Sequence, residues 1–520
     1  MRGSRASMDE FPRPKRVRCP PLTPTSHSTS GGPSALILSY ILHGHIPYYS
    51  RSHFDPLLDN KLKKERNLLK VTPDAYAHLY SSLRYSTQAL PLNTLLDTLI
   101  RPNADTEIDP ESCVDWLYRP ETAIHHAILT DGSDCGGQWV DNPDNPVSTN
   151  PDIGTLSYSE MLSLPGYSYA QHYELQNNTP LPELQRPSRA EVADYFAVYP
   201  HAVGIQDSLY TGAHVNSLSR TPNGFYIASH GVLCKNVVLA TGIFTQAIAP
   251  PPLLSPLARL DIPAEPLLII GSGFSAADVI ISAPPTRKIV HIFRWTPDIR
   301  PSPLRGCHHA AYPEYAGIYR QMKLASMSSN RPYVASPVLR RKSNPSFSHR
   351  DWASVYEGLP NAEVVEVRNE GNSARLRIRL ESGNIIERIV GGLEYVVGRR
   401  GNLDYLSPPL RREVLGSPER FEHPLEQGSF ISGRSLRRKV EIDFEVAPSI
   451  FVIGSLTGDS LVRHAFGGSV AAASRIMGTS KNGKIHTRAP AHINSGFEVH
   501  ASGGAEHTDL HIDRRGIIAR

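Results

Sequence analysis

The sequence predicts an α/β fold built on parallel strands that each run into a glycine-rich turn and a helix. Two stretches carry this prediction. The first is Leu267-Leu-Ile-Ile-Gly-Ser-Gly-Phe-Ser-Ala-Ala-Asp278, followed by Ile289-Val-His-Ile-Phe-Arg-Trp295. Its four consecutive apolar residues read as a strand buried on both faces. Gly271, Gly273 and Ala276 then fill a G-x-G-x-x-A pattern, and an apolar-periodic run to Ala283 opens a helix. The second stretch, Ser30-Gly-Gly-Pro-Ser-Ala-Leu-Ile-Leu-Ser-Tyr-Ile-Leu42, reads as the latter half of the same pattern, with Gly32 as its central glycine and Ala35 as its third small residue.

Each small residue of the first stretch has a physical reason. Gly271 permits the tight turn, Gly273 lets the backbone approach a pyrophosphate, and Ala276 lets the helix pack close to the strand. Ser272 and Ser275 complete the turn, and the helix N-terminus offers unpaired N–H groups to phosphates. Pro284-Pro285 ends the helix, and Ile289 to Phe293 forms a second strand with Arg294 at its tip. An acid at that tip would bind the ribose hydroxyl of NAD, whereas an Arg favours the 2′-phosphate of NADP. The plainer readings are a glycine-rich turn without a ligand and a solvated strand end. In the second stretch Ser30 stands at the first-glycine position, and Pro24–Thr29 is polar where a buried strand is expected. Either the first strand of that unit is missing or the N-terminus as written is not the natural one.

At 520 residues the chain accommodates two domains, or one with a large insert. Lys plus Arg nearly balance Asp plus Glu at +4, which points away from nucleic acid and from anionic membranes. The five cysteines are scattered without a C-x-x-C pair, so neither a disulfide framework nor a metal site is expected, and a reducing, cytoplasmic setting fits. No apolar run approaches the ~18 residues of a membrane span, and no signal peptide is evident.

Residues 1–30 and 479–520 have compositions that do not bury a core and are expected to be disordered tails. Arg13–Arg18 reads as a solvated basic run or an import patch. Helical patches are expected at Leu57–Leu69, Ala75–Leu83 and Leu92–Ile100. A strand over Ala123–Leu129 leads into Asp131-Gly-Ser-Asp-Cys-Gly-Gly-Gln-Trp139. There Gly136 and Gly137 let the backbone pass close to a planar ring, with Gln138 and Trp139 beside it. A turn followed by a core Trp is the plainer alternative. Leu156–Tyr169, rich in aromatic and hydroxyl groups, suits a pocket wall. Ser188 with Glu191 reads as a capping box for a helix over Arg189–Tyr199, and Asn223-Gly224 as a hairpin turn. A buried strand from Asn236 ends in Ala240-Thr241-Gly242, small residues that let the chain cross between domains. Residues 324–350 read as a mobile insert, preceded by a helix over Tyr312–Met322 and followed by a meander over 362–390. Ile450–Asp459 is a last buried strand ending in Gly458-Asp459, and Gly467-Gly468 opens a helix whose N-terminus faces a developing negative charge. Asp459 reads as an acceptor for sugar-like hydroxyls or as a plain turn residue. No Ser-His-Asp set or other catalytic side chain is evident.

The order of these features resembles the two-dinucleotide-binding-domain flavoproteins, the superfamily of flavin-containing monooxygenases and ornithine/lysine N-hydroxylases. Within it the closer resemblance is to the oxidative stress-induced growth inhibitor family, over about residues 31–477. It is carried by Gly31-Gly-Pro-Ser with Ser39-Tyr-Ile-Leu42, Leu164-Pro-Gly166, Tyr312-Pro-Glu-Tyr315 and Gly271-Ser-Gly with Ala276-Ala-Asp278. His291-Ile-Phe-Arg294, and Gly458-Asp459 with Val462-Arg463 and Gly467-Gly468, complete it. The resemblance implies an FAD-binding Rossmann-like domain (31–255 and 401–478) with an inserted NADP-binding Rossmann-like domain (256–400). It implies that Gly31, Gly32, Pro33 and Ser34 hold the FAD pyrophosphate. Gly136, Gly137, Gln138 and Trp139 would then border the flavin, and Ala240, Thr241 and Gly242 would lie beside the cofactor at the domain crossing. Gly458 and Asp459 would hold the ribityl chain, and Gly467 and Gly468 the flavin's N1/C2 region. Gly271, Ser272, Gly273, Ser275, Ala276 and Arg294 would hold NADPH. The implied activity is oxygenation of a small-molecule substrate by O₂ through a flavin C4a-(hydro)peroxide. A flavin reductase or dehydrogenase and a non-catalytic scaffold in growth or stress regulation are the alternatives. The resemblance implies no nucleic-acid or membrane partner and leaves the oligomeric state open.

Overall fold

The computed structural model describes residues 31–80, 89–107, 110–140, 154–299, 301–328, 350–416, 430–441, 443–481 and 516–519. Arg13–Arg18, Pro24–Thr29, Ser30 and most of the expected insert and C-terminal tail lie outside them.

Two largely parallel sheets organise the α/β architecture. The larger has six strands in the order Glu445–Ala447, Ile450–Val452, Asn236–Leu239, Gly516–Ala519, His126–Leu129 and Leu209–Tyr210. All neighbours in it are parallel except the edge pair of Glu445–Ala447 with Ile450–Val452. The smaller sheet has four parallel strands in the order Tyr356–Pro360, Ile289–Phe293, Leu267–Ile270 and Gly392–Tyr395. Counted along the chain from Leu267 this is 3-2-1-4, the doubly wound order whose switch point lies between the first and fourth strands. The central strands of both sheets are short and mainly apolar, as in Val237-Val-Leu239 and Leu267–Ile270, because both of their faces are covered.

The helix Pro33–Leu42 starts with Pro at its first position and is apolar all round, with Leu36, Ile37, Leu38, Ile41 and Leu42 fully buried. A helix of that kind has to be enclosed. It packs between the larger sheet and the C-terminal helix Phe466–Lys481. One buried polar link joins it to the sheet. His126 donates from Nδ1 to the Ile124 carbonyl (2.7 Å), so its Nε2 accepts from the Ser39 hydroxyl (2.8 Å). Burial pushes His126 down to about 4.

In sequence, residues 267–395 fall between the strands Asn236–Leu239 and Ile450–Val452 of the larger sheet. The chain leaves and returns side by side, because Gln246–Ala247 pairs antiparallel with Arg399–Asn402. The crossing is tight: a Cβ on Gly401 would stand 2.5 Å from the Gly242 carbonyl oxygen. Arg399 donates to the Phe244 carbonyl at 2.8 Å across the same pair.

Several expectations are met locally. The capping box at Ser188 and Glu191 starts the helix Arg189–Ala202, and the Asn223-Gly224 turn joins Leu218–Thr221 to Gly224–Ile227. Others are corrected. The patch Leu57–Leu69 divides into Pro56–Leu62 and a 3₁₀ turn Leu68–Lys70, because the Asn67 side chain accepts from Leu69 N–H and caps a new turn. Of the patch Ala75–Leu83, the described part forms the one-turn helix Pro73–Tyr76 and the 3₁₀ turn Ala77–Tyr80, and residues 81–83 lie outside the described residues. The C-terminal stretch, expected to lack regular structure, contributes the strand Gly516–Ala519. It pairs on both sides, placing Ala519 level with Leu129 and Leu239. That is the slot to which a strand leading into Gly31 would be assigned by doubly wound order.

Candidate functional site

Two cradles form where parallel strands meet a helix N-terminus. The first lies at the carboxyl ends of His126–Leu129, Asn236–Leu239 and Ile450–Val452, facing the start of Pro33–Leu42. Gly31 has φ +83°, and a Cβ there would touch Thr130 at 3.4 Å. Its carbonyl accepts from Gly136 N–H at 3.0 Å, and a Cβ on Gly137 would come within 3.2 Å of Gly32 Cα. The two glycine pairs therefore pack backbone on backbone. Gly454, at φ +68°, closes against Ser34, whose carbonyl accepts from the Ser469 hydroxyl at 2.9 Å.

The second cradle follows Leu267–Ile270. A Cβ on Gly271 would collide with the Val396 carbonyl at the switch point, so glycine is required by the fold there. Gly273 is the N-cap of the helix Phe274–Ser282, with Ser272 and Ser275 half-exposed around it. Ala276 is buried, and its small side chain lets the helix sit on the sheet. Arg294 is exposed at the end of Ile289–Phe293 and makes no hydrogen bond or ion pair among the described residues.

The central glycine of each cradle is the one the fold leaves unexplained. Gly32 has φ −73° and nothing within 4 Å of a Cβ built on it. Gly273 has φ −108° and only Pro303 at 3.8 Å. Neither needs glycine for conformation or for protein packing. Both leave open the space that a pyrophosphate requires beside the chain. Residues that fit a dinucleotide are thus present in both cradles.

The remaining candidates are placed differently. Trp139 is half-buried, its ring edge-on to Phe196 at 6.1 Å, and Arg189 donates to the Gln138 and Trp139 carbonyls. Thr241 is buried within 3.3 Å of the Tyr405 hydroxyl, and Ala240 and Gly242 lie at the crossing described above. Asp459 uses its carboxylate within the protein: Oδ2 accepts from Leu90 N–H (2.8 Å) and Asn93 Nδ2 (2.7 Å), and Oδ1 pairs with Arg437. Gly458, at φ +95°, packs against Gly433. Asn93 also accepts from Gly468 N–H at 2.9 Å, so this helix N-terminus is capped by a side chain. Gly467 is small because the helix Pro91–Ile100 crosses it, Asn93 N standing 2.5 Å from where a Cβ would be.

Asn93 is a residue that pattern reading missed, and the signal was slight: a polar residue in an otherwise apolar helical patch. Asp97 of the same helix was missed for the same reason, and Asp105 stands in the polar turn that follows it. Asp97 and Asp105 hold the buried Arg463, which donates from Nε to Asp97 (2.9 Å) and from Nη1 to Asp105 (2.7 Å). Arg463 also donates to the Tyr312 hydroxyl at 3.2 Å, and Tyr312 donates to Met161 Sδ. Burial alone would raise Asp97, but Arg463, with His464 and Arg101, holds it below the usual carboxylate range.

The 156–169 loop is held firmly. Arg101 donates to the Glu160 and Ser163 carbonyls, Tyr195 accepts from Leu164 N–H and donates to the Tyr167 carbonyl, and Tyr199 donates to the Pro165 carbonyl. Its apolar members Met161, Leu156 and Tyr158 pack into the cluster containing Tyr312 and Tyr315. Through Met161 the loop therefore meets both Tyr312 and Arg463. No helix among the described residues is long and apolar enough to cross a membrane, and no cluster of metal-ligating residues occurs among them.

No family model matches the chain. Among curated proteins it is similar to oxidative stress-induced growth inhibitor 1 of Homo sapiens, 26% identical over 506 residues, covering 86% of this chain and 93% of that protein. The Mus musculus protein of the same name is 25% identical, covering 88% and 95%, and human oxidative stress-induced growth inhibitor 2 is 23% identical, covering 84% and 90%. Among solved structures, a flavin-containing monooxygenase from Stenotrophomonas maltophilia aligns with a TM-score of 0.39 at 16% identity, covering 69% of this chain and 99% of that one. The ornithine N-hydroxylase of Kutzneria sp. 744 aligns with a TM-score of 0.37 at 11% identity, covering 68% and 92%. Over 84–88% of its length the chain is thus similar to the oxidative stress-induced growth inhibitors.

Proposed function

We propose that the chain is an FAD- and NADPH-dependent oxidoreductase, a monooxygenase that oxygenates a small-molecule substrate with O₂. One observation carries this reading: two strand–turn–helix cradles each keep a central glycine, Gly32 and Gly273, that neither backbone conformation nor protein packing demands. When bound, FAD supplies the redox and oxygen chemistry, with NADPH as the reductant.

The chain's own residues supply binding and orientation. Gly32 and Ser34 N–H groups at the start of Pro33–Leu42 would hold the FAD pyrophosphate, with the helix dipole favouring its charge. The Gly136-Gly137 turn would lie under the ring system and Trp139 beside it. Ser272, Gly273 and Ser275 would hold the NADPH pyrophosphate, and Arg294 its 2′-phosphate, by a charge-assisted contact that the protein does not already satisfy. The 156–169 loop, pinned by Arg101, Tyr195 and Tyr199, would form a rigid pocket wall that excludes water. The domain reading of the sequence fits this arrangement, with 256–400 as the NADP unit inserted in the FAD unit.

The test is NADPH oxidation by the purified chain with O₂ uptake, run against a panel of small amines and thioethers and followed by mass spectrometry. A product that has gained one oxygen atom supports the monooxygenase. NADPH oxidation under nitrogen with a quinone acceptor, and no oxygenated product in air, would identify a reductase instead. A second reading, a non-catalytic scaffold, is favoured by the closure of the Asp459 and Gly468 positions onto Asn93, Leu90 and Arg437. A folded chain that neither binds FAD nor oxidises NADPH would establish it.

A further inference from the structure

We infer that His291 and Ser302 are positioning residues of the second cradle, holding the Gly271 and Ser272 carbonyls so that the following N–H groups face the phosphates of NADP. The inference rests on the proposed NADPH site and assigns residues to it that the glycine pattern does not contain.

His291 sits in the middle of the strand Ile289–Phe293, fully buried, with apolar Val290, Ile292 and Phe293 around it. Packing does not explain an imidazole there, since an apolar side chain would fill the strand without polar groups to satisfy. Both ring nitrogens are engaged. Nε2 lies 2.7 Å from the Gly271 carbonyl, which can only accept, so Nε2 carries the proton. Nδ1, 2.7 Å away from the Tyr356 hydroxyl, accepts from it. The ring is therefore fixed in one tautomer and aimed at the first glycine of the turn. Burial pushes His291 down to about 4, so it stays neutral at physiological pH.

Ser302 acts on the next peptide. Its hydroxyl donates to the Ser272 carbonyl at 2.6 Å and accepts from Leu304 N–H at 3.2 Å, which fixes the rotor. Ser302 caps the short turn Pro303–Gly306, and Pro303 flanks Gly273.

A trans peptide is planar, with its C=O and N–H pointing in opposite directions. Holding the Gly271 carbonyl with His291 therefore sets the direction of Ser272 N–H. Holding the Ser272 carbonyl with Ser302 sets that of Gly273 N–H. Neither N–H meets an acceptor among the described residues. Flipping either peptide would turn a carbonyl oxygen toward the helix N-terminus, where it would repel a phosphate. The first cradle obtains the same result from backbone alone, the Gly31 carbonyl being held by Gly136 N–H. In the second cradle no backbone N–H among the described residues reaches either carbonyl, and side chains take that role.

The experiment is calorimetric titration of NADP⁺ into the full-length chain and four variants, with thermal unfolding of each. Ser302→Ala and His291→Phe are each expected to weaken NADP⁺ binding about tenfold, the effect of one lost hydrogen bond. Ser302→Thr, which keeps the hydroxyl, should bind within about threefold of wild type, and His291→Gln should recover part of the loss. Ser302→Ala binding as well as wild type would overturn the inference. So would Ser302→Ala and Ser302→Thr losing affinity together with thermal stability, which marks a merely structural role. If His291→Phe does not fold, the Ser302 pair still decides. A folded wild type that binds no NADP⁺ removes the NADPH reading itself, and this inference with it. That outcome is distinct from wild-type binding that the variants leave unchanged.

Discussion

Gly273→Ala should separate ligand binding from stability. At φ −108° alanine is allowed, and the added methyl meets only Pro303 at 3.8 Å, an ordinary contact. Replacing an N-cap glycine costs up to about 1 kcal/mol, and the reduced freedom of the unfolded chain returns about 0.4–1 kcal/mol. The net change in stability should stay below about 1 kcal/mol, a shift in Tm of no more than about 3 °C for a chain of this size. The same methyl stands in the space through which the turn would approach a pyrophosphate, so NADP⁺ affinity should fall about a hundredfold or more. Gly271→Ala provides the contrast. Its methyl drives into the Val396 carbonyl, and relieving that collision should cost about 1–3 kcal/mol in stability besides binding. Differential scanning calorimetry and NADP⁺ titration on both variants make the comparison. If Gly273→Ala binds NADP⁺ like wild type, or unfolds like Gly271→Ala, the reasoning about unexplained glycines is wrong.

Further expectations follow from other contacts. Asp278 is half-buried, and the lost hydration pushes its carboxyl up to about 6, against the Tyr315 hydroxyl that donates to it at 2.5 Å. A raised carboxylate contributes stability that is complete below the unfolded value near 4 and is lost as pH rises through about 6. Wild type should therefore lose about 3 kcal/mol over that window relative to Asp278→Asn. Denaturation midpoints that run parallel in the two proteins from pH 4 to 7 would exclude this. Arg463→Met leaves Asp97 buried without its main partner and should destabilise by about 3–5 kcal/mol, with part of the loss restored in Arg463→Met/Asp97→Leu. A double-mutant cycle in urea reads the coupling. Arg294→Ala should leave Tm unchanged and raise KM for NADPH far more than for NADH, and equal effects on the two would refute the 2′-phosphate role. Ile518→Pro removes a donor from the centre of the six-stranded sheet and should lower stability by about 3 kcal/mol, measured by thermal melting.

Sequence reading went furthest where structure is local. The run Leu267–Ile270, the glycine turn and the helix after it are adjacent in the chain, so composition and period define them together. The Ser188–Glu191 box and the Asn223-Gly224 turn are likewise set by neighbours. The strand Gly516–Ala519 was illegible because four residues carry no period, and its pairing is made with strands hundreds of positions away. Asp459 and Gly467 were visible as residue types, but the partners that occupy them were not. Asn93 arrives from a helix whose apolar face dominates any periodicity argument, and only its packing brings it to Asp459 and Gly468. His291 shows the same limit. The strand was evident, yet nothing in the sequence indicates that its one polar side chain turns back onto Gly271.

The most direct measurement of the central claim is the visible absorption spectrum of the purified chain, after incubation with FAD and removal of the excess, before and after anaerobic addition of NADPH. The account predicts bands near ~370 and ~450 nm that persist through repurification and bleach with NADPH. A folded, colourless chain that retains no FAD would contradict it.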